Sequence, residues 1–179
     1  MLPAMRRIRK IALAAVLLPA SAAAEGIVSE IRLGMLHHDA GIMTVDKERG
    51  TDGNVEVLFA SPSALDVIGA PRPHIGASVN SVGDTDQAYG GLTWAYDFTG
   101  TLFCEGSLGG AVHDGKLNKK DPGRKALGSR VLFRESVSLG WRFDAHHSLS
   151  LMIDHVSNAN LASHNAGLDG VGLRYGYRF

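Results

Sequence analysis

Cysteine is almost absent from the chain, because Cys104 is the only one in 179 residues. An intramolecular disulfide and a multi-cysteine zinc or iron–sulfur site are therefore excluded. Net charge is also lacking: 18 basic and 18 acidic side chains balance, and aromatic residues make up only 7%, so no nucleic-acid partner is indicated. The length predicts a single domain.

The first 24 residues have the organisation of a secretory signal peptide. Basic residues in 6–10 precede the apolar run 11–20, and the small residues 21–24 follow, which predicts cleavage between Ala24 and Glu25. An N-terminal membrane anchor is disfavoured, since the apolar run is broken by Pro19 and is too short for about 30 Å of hydrocarbon. We expect residues 25–179 to form one exported domain without a transmembrane helix.

Apolar and polar residues alternate along eight segments of this domain. A period of two is typical of β-strands that have one apolar face. The pattern predicts an all-β fold, an eight-stranded antiparallel transmembrane barrel of the bacterial outer membrane. A soluble sandwich or lipocalin-like barrel would show the same alternation with its apolar face inward. The segments are about 27–38, 54–61, 72–81, 87–98, 101–113, 127–143, 148–158 and 169–179.

Two features favour the membrane barrel over the soluble alternatives. Aromatic residues such as Trp94, Trp141 and Tyr177 lie near strand ends, as membrane-interface girdles would place them. The chain also ends on Phe179, which resembles the C-terminal signature of outer-membrane proteins.

Charged residues occupy the other face of the strands, and we expect them to pair across the lumen as structural residues. They are Glu30, Arg32, Glu56, Glu105, Arg130, Arg134, Asp154, Arg174 and Arg178. The longer connections 39–53, 82–86, 114–126 and 159–168 are expected at the outer end of the barrel. The inner connection 62–71 is long, and we expect a short helical turn between its prolines.

Several residues with reactive side chains do not indicate chemistry. The pairs His37–His38 and His146–His147 are expected to be solvated strand-end residues, because neighbours on a strand point to opposite faces and chelate poorly. Cys104 is expected to serve packing, since no activating base is evident. No metal or organic cofactor is required.

The segment 155–157 has the spacing of an activated nucleophile. His155 and Ser157 are two residues apart on a strand, so both side chains lie on one face, with Cα atoms about 6.5–7 Å apart. They lie on the same face of the strand as the apolar Ile153, whereas the similar pair His146 and Ser148 lies on the polar face. Polar residues that end such a stripe also occur where a strand simply leaves the bilayer, so the spacing alone leaves both interpretations open.

A carboxylate strengthens the catalytic interpretation. Asp169 opens the last strand on the outward parity, and the last two strands are hairpin neighbours. His155 opposite Asp169 would place their Cβ atoms about 4.5–5.5 Å apart. Nucleophile, base and orienting acid would then meet on the lipid-facing side near the outer end of the barrel.

The run 155–161 (HVSNANL) together with 165–169 (NAGLD) resembles the lipid A 3-O-deacylase (PagL-type) family. So does the layout of a signal peptide, about 155 mature residues and eight strands. The resemblance is sharpest over residues 130–179. Best-known members carry glutamate where this chain has Asp169, which is one methylene shorter.

The resemblance implies an outer-membrane esterase that removes the 3-position acyl chain of lipid A as a 3-hydroxy fatty acid. It assigns the nucleophile to Ser157, the base to His155, the orienting acid to Asp169, and oxyanion stabilisation to Asn158 and the backbone near Asn160. A homodimer is also implied. The alternatives are a non-catalytic adhesin-like or scaffolding barrel and an outer-membrane phospholipase.

The loop 114–126 carries five basic residues between positions 116 and 125 against one acid. Lys119 and Lys120 are therefore weakly predicted to contact substrate phosphates, although a merely solvated loop fits the pattern equally well.

Overall fold

The computed structural model describes residues 26–179, which form a closed barrel of eight antiparallel strands that pair in chain order. The barrel closes where β1 pairs with β8, with Leu33 opposite Tyr175. All eight predicted segments are strands. They are β1 (Val28–His38), β2 (Thr51–Phe59), β3 (Arg72–Asn80), β4 (Gln87–Asp97), β5 (Leu102–His113), β6 (Val131–Arg142), β7 (His147–Ser157) and β8 (Leu168–Arg178).

The apolar face of the strands points outward. In β6, the apolar odd-numbered side chains are exposed and the even-numbered ones are buried. Val137, for example, remains 65% exposed and Leu139 59%. An outer wall of exposed aliphatic side chains needs a hydrocarbon solvent, so the soluble-barrel alternative is wrong. Within residues 26–179, no helix is long and apolar enough to cross a membrane.

Ion pairs fill the lumen, as the sequence predicts. Arg32 contacts Glu30 at 2.6 Å and Glu105 at 2.7 Å, and Arg174 contacts Glu56 at 2.8 Å. All five side chains are buried, so each charge has a partner in a region that water barely reaches. These contacts join β1, β2, β5 and β8 across the interior.

Arg130 is an exception to this prediction. It is exposed at the start of β6 and donates hydrogen bonds to the backbone oxygens of His113 and Gly115. Its position was predicted wrongly because β6 begins at Val131 instead of 127, and the residues before it belong to a loop. Arg178 is also only partly inside, with its side chain 40% exposed and 3.9 Å from Glu30.

Connections of different length lie at the two ends of the barrel. At one end are loop 1 (residues 39–50), loop 2 (81–86), loop 3 (114–130) and loop 4 (158–167). At the other end are short turns and the 3-10 helix Ser63–Ile68, which confirms the predicted helical turn. The signal peptide predicted for residues 1–24 lies outside the described residues.

Loop 1 is fastened to the barrel by a histidine that the sequence analysis misplaced. His38 was expected to be solvated, but it is 1% exposed. Its Nδ1 lies 2.8 Å from Asp52 and its Nε2 3.1 Å from Glu48, so the ring joins β2 to loop 1. Its neighbour His37 is exposed, as expected.

Candidate active site

His155 and Asp169 are cross-strand partners near the loop 1 end of the barrel. Strands β7 and β8 pair antiparallel with these two residues opposite each other, which confirms the predicted register. His155 Nδ1 lies 2.6 Å from Asp169 Oδ1. A carboxylate can only accept here, so Nδ1 carries the hydrogen and Nε2 is left as the basic nitrogen of the neutral ring.

Loop 1 covers the carboxylate of Asp169. The side chain is 0% exposed, although its position in β8 is on the outward parity. Its Oδ2 accepts hydrogen bonds from the backbone N–H groups of Met43 and Thr44, both 2.8 Å, and from the Thr44 hydroxyl at 3.0 Å. Met43 and Thr44 could not be recognised from the sequence, because they are more than 120 residues away from Asp169 in the chain and belong to no motif.

Gly167 packs against the imidazole of His155. A Cβ at this position would lie 2.9 Å from His155 Cε1 and 2.8 Å from Thr44 Cγ2. The backbone φ of +62° is also in the left-handed region that favours glycine. The end of loop 4 therefore supports one side of the ring, and a larger residue at position 167 would displace the ring or Thr44.

Ser157 is the last residue of β7 and lies opposite Phe133 of β6. Its side chain is half-buried, in a stripe that includes the exposed Leu149 and Leu151. Within residues 26–179 its hydroxyl has no hydrogen-bond partner within 3.5 Å, His155 Nε2 included. Such contacts are often long before substrate binds, and residues two apart on a strand have their side chains on the same face.

The amide side chain of Asn158 anchors loops instead of facing the serine. Its Nδ2 donates to the backbone oxygens of Leu127 at 2.8 Å and His164 at 2.6 Å, and the residue is only 3% exposed. Both amide hydrogens are therefore used. Its backbone N–H donates to Asn165 Oδ1 at 2.9 Å. In this structure the Asn158 side chain does not offer the oxyanion donor that the sequence analysis expected from it.

The next two residues form a left-handed turn. Ala159 has φ +52° and Asn160 has φ +62°, and the N–H of Leu161 donates to the oxygen of Asn158 at 3.0 Å. In the described part of the chain, the N–H groups of Ala159 and Asn160 have no acceptor. Both residues are exposed, so these two donors are available directly after Ser157.

Two grooves are lined by neighbours of the proposed site: Phe133 and Asn158 beside Ser157 line one, and Thr44 beside Asp169 lines the other. The first groove, of about 330 Å³, is lined mainly by apolar and small residues of β5, β6 and loop 4, without a charged side chain. They are Gly109, Gly110, Ser129, Val131, Leu132, Phe133, Asn158, Leu161 and Ala162. The second groove, of about 650 Å³, lies under loop 1 and includes two lysines. It is lined by Ile42, Met43, Thr44, Val45, Lys47, Lys125, Asn165 and Ala166.

The basic residues of loop 3 do not act as one patch. Lys119 and Lys120 are exposed, whereas Arg124 lies 2.9 Å from Glu48 and Lys125 is 2% exposed. Burial alone would raise the pKa of Glu48, but hydrogen bonds from His38, Thr85, Arg124 and the Lys125 backbone lower it to about 2. The ion pair between Arg124 and Glu48 thus joins loop 3 to loop 1.

Other reactive residues lie apart from this site. Among residues 26–179, no group of three or more His, Cys, Asp or Glu side chains is placed to hold a metal ion. Cys104 is a free, partly exposed thiol on β5. His146 and His147 lie at the turn into β7, at the opposite end of the barrel from His155.

Solved structures share the fold at low sequence identity. The outer membrane enzyme PagL superposes with a TM-score of 0.65 and 17% identity, over 84% of this chain and 100% of that chain. Neisserial surface protein A (NspA) gives 0.52 and 11%, over 86% and 97%, and the de novo designed TMB2.3 gives 0.51 and 9%, over 87% and 97%. A comparison with curated proteins finds no match.

A family model matches most of the barrel. The model of lipid A 3-O-deacylase (PagL) matches residues 75–178, which include His155, Ser157 and Asp169. This match spans more than half of the chain and agrees with the outer-membrane barrel fold. The chain therefore belongs to the lipid A 3-O-deacylase (PagL) family of the outer membrane.

Proposed function

We propose that this protein hydrolyses the 3-position acyl ester of lipid A and releases a 3-hydroxy fatty acid. One observation carries the proposal. His155 is held by a wholly buried carboxylate and lies two residues from a serine on the outward face, and its second nitrogen has no hydrogen-bond partner within residues 26–179. This is the arrangement of a Ser-His-acid esterase, placed where a membrane lipid has access.

Each half of the reaction needs one proton transfer to His155 and one from it. His155 Nε2 takes the hydroxyl proton as Ser157 Oγ attacks the ester carbonyl, and Asp169 stabilises the imidazolium that forms. Collapse of the tetrahedral intermediate breaks the bond to the sugar oxygen, which receives the proton. Water then attacks the acyl-serine by the same route in reverse, releasing the fatty acid and restoring Ser157.

The negative charge on the intermediate needs donors beside Ser157. The family resemblance assigns this role to Asn158 and the backbone near Asn160. The Asn158 amide already donates to two carbonyl oxygens, so we assign the role to the backbone N–H groups of Ala159 and Asn160. Two adjacent N–H groups in a left-handed turn form a concave site that suits an anion.

The two grooves suit the two parts of the substrate. The uncharged first groove, beside Ser157 and Phe133, suits the acyl chain. The second groove, whose lining includes the exposed Lys47, suits the sugar and its anionic groups. The exposed Lys119 and Lys120 are proposed as weaker phosphate contacts. A homodimer remains a prediction from the family resemblance.

Single substitutions in the site test the reaction. Ser157→Ala and His155→Asn should each lower deacylation by at least about 10⁴-fold, since loss of a nucleophile or its base removes the covalent route. Mass spectrometry of lipid A from cells that produce each variant measures the loss of one 3-hydroxyacyl group. Glycerophospholipid extracts, analysed in parallel, identify a phospholipase.

Ser148→Ala is the matched control, because Ser148 also follows a histidine on β7 but lies at the other end of the strand. It should leave deacylation unchanged. Heat-modifiable migration on gels verifies that each variant is a folded barrel. Wild-type deacylation by Ser157→Ala would disprove the proposed mechanism, and unmodified lipid A in cells with the wild-type protein would disprove the function.

A further inference from the structure

The buried lysine of loop 3 is connected to the acid of the proposed triad through one threonine. Lys125 Nζ lies 2.6 Å from Thr44 Oγ1, and the Thr44 hydroxyl lies 3.0 Å from Asp169 Oδ2. Lys125 is 2% exposed and Asp169 is 0% exposed. Lysine side chains are normally exposed, so a buried lysine that reaches a residue far away in the chain indicates a specific role.

The direction of these hydrogen bonds follows from which groups carry hydrogens. The ammonium of Lys125 can only donate and the carboxylate of Asp169 can only accept. The Thr44 hydroxyl has a single hydrogen, so it accepts from Lys125 and donates to Asp169. Donation by a cation makes the hydroxyl a stronger donor to the carboxylate.

The lysine itself is held in place by loop 1. Its Nζ also lies 2.6 Å from Asp39 Oδ1, and its backbone N–H donates to Glu48 at 2.9 Å. Asp39 Oδ2 in turn accepts the backbone N–H groups of Lys47 at 2.6 Å and Glu48 at 2.9 Å. The charge of Lys125 is paired with that of Asp39, and the ammonium has further hydrogens with which it donates to Thr44.

We propose that Thr44 and Lys125 are positioning residues of the deacylase, acting on His155 through Asp169. This inference rests on the proposed function and extends it to residues outside the triad. The Oδ1 of Asp169 holds His155, while its Oδ2 is fixed by loop 1. Rotation of the carboxylate would break both sets of contacts, so the loop 1 donors set the orientation of the imidazole.

Thr44→Val, Thr44→Ser and Lys125→Met test the inference on the full-length protein with lipid A in mixed micelles. Valine keeps the shape of threonine and the backbone N–H but removes the hydroxyl. We expect kcat to fall about tenfold with KM unchanged, the effect of one hydrogen bond to a charged group. Serine restores the hydroxyl and should restore kcat, and Lys125→Met should lower kcat in the same way.

Thr85→Val is the matched control. Thr85 is also a buried threonine of the outer loops, 1% exposed, and donates to Glu48 at 2.6 Å, but it does not contact Asp169. It should keep the wild-type kcat. A loss of kcat equal to that of Thr44→Val would show that loop folding alone is responsible and would overturn the inference.

A double-substitution cycle separates positioning from folding. In an Asp169→Asn background, Thr44→Val should have no further effect on kcat, because the hydroxyl acts only through the carboxylate. Full additivity would overturn the inference. Ser157→Ala and the wild type are measured alongside. If Ser157→Ala is inactive while Thr44→Val keeps the wild-type kcat, only the positioning role is overturned. If the wild-type protein leaves lipid A unmodified, the proposed function itself is overturned.

Discussion

Replacing Gly167 with alanine would insert a methyl group between the proposed base and loop 1. The new Cβ would be 2.9 Å from His155 Cε1 and 2.8 Å from Thr44 Cγ2, both well inside normal contact distance. Ring and threonine would have to move apart. Since both are hydrogen-bonded to the buried carboxylate of Asp169, either movement distorts the proposed triad.

The size of the effect can be worked from two separate terms. A non-glycine residue at φ +62° costs about 1–2 kcal/mol of backbone strain, which a closed barrel tolerates. Displacement of the imidazole by a few tenths of an ångström to about 1 Å lowers the rate by up to about 10²-fold. We therefore expect Gly167→Ala to be a folded barrel with kcat reduced about 30- to 100-fold. Turnover of lipid A in mixed micelles, followed by mass spectrometry, measures it.

Gly100→Ala is the matched control for the backbone term. Gly100 has φ +76° in a turn at the opposite end of the barrel, and a Cβ there would meet nothing within 4 Å. It carries the same kind of strain without a clash at the site, so its kcat should equal that of the wild type. Wild-type turnover by Gly167→Ala would refute the reasoning that the ring must stay where loop 4 supports it.

Two further predictions concern loop 1 and the first groove. In the folded protein the pKa of Glu48 is about 2, whereas the ordinary value is 4.5. The ionised carboxylate therefore adds about 3 kcal/mol to the free energy of unfolding above pH 4.5, and this stabilisation is lost as the pH falls through 2. Pepsin should therefore cleave loop 1 of the wild type only as the pH approaches 2, whereas it should cleave loop 1 of Glu48→Gln already near pH 4.5. Identical dependence of cleavage on pH in the two proteins would contradict this prediction. Gly110→Leu should fill the first groove beside Phe133 and lower the turnover of long-chain esters more than that of short-chain esters. Gly106→Leu is the control, because Gly106 faces outward on the same strand but lies outside the groove, and it should leave the ratio of the two rates unchanged. Equal losses on both chain lengths would exclude the groove as the acyl site.

The strand pattern of this protein could be read from its sequence because a barrel wall obeys a local rule. Each side chain faces either lipid or lumen, and residues two apart share a face. That rule predicts the lumen position of Arg32 and Arg174, the outward position of Leu139, and the pairing of His155 with Asp169 across a hairpin. The pairing needs only neighbouring strands joined by one loop, so it is encoded within a short stretch of chain.

The outer loops follow no such rule, and only the tertiary structure decided their contacts. Nothing in the sequence indicates that Thr44 reaches Asp169, that His38 meets Glu48, or that Lys125 turns away from the exposed Lys119. The contacts of Thr44 with Asp169 and Lys125 join residues 125 and 81 positions apart in the chain, and they depend on how several irregular loops pack together. Alternation of polarity specifies one face of a strand, whereas a loop has no period, so its partners are chosen by the packed fold as a whole.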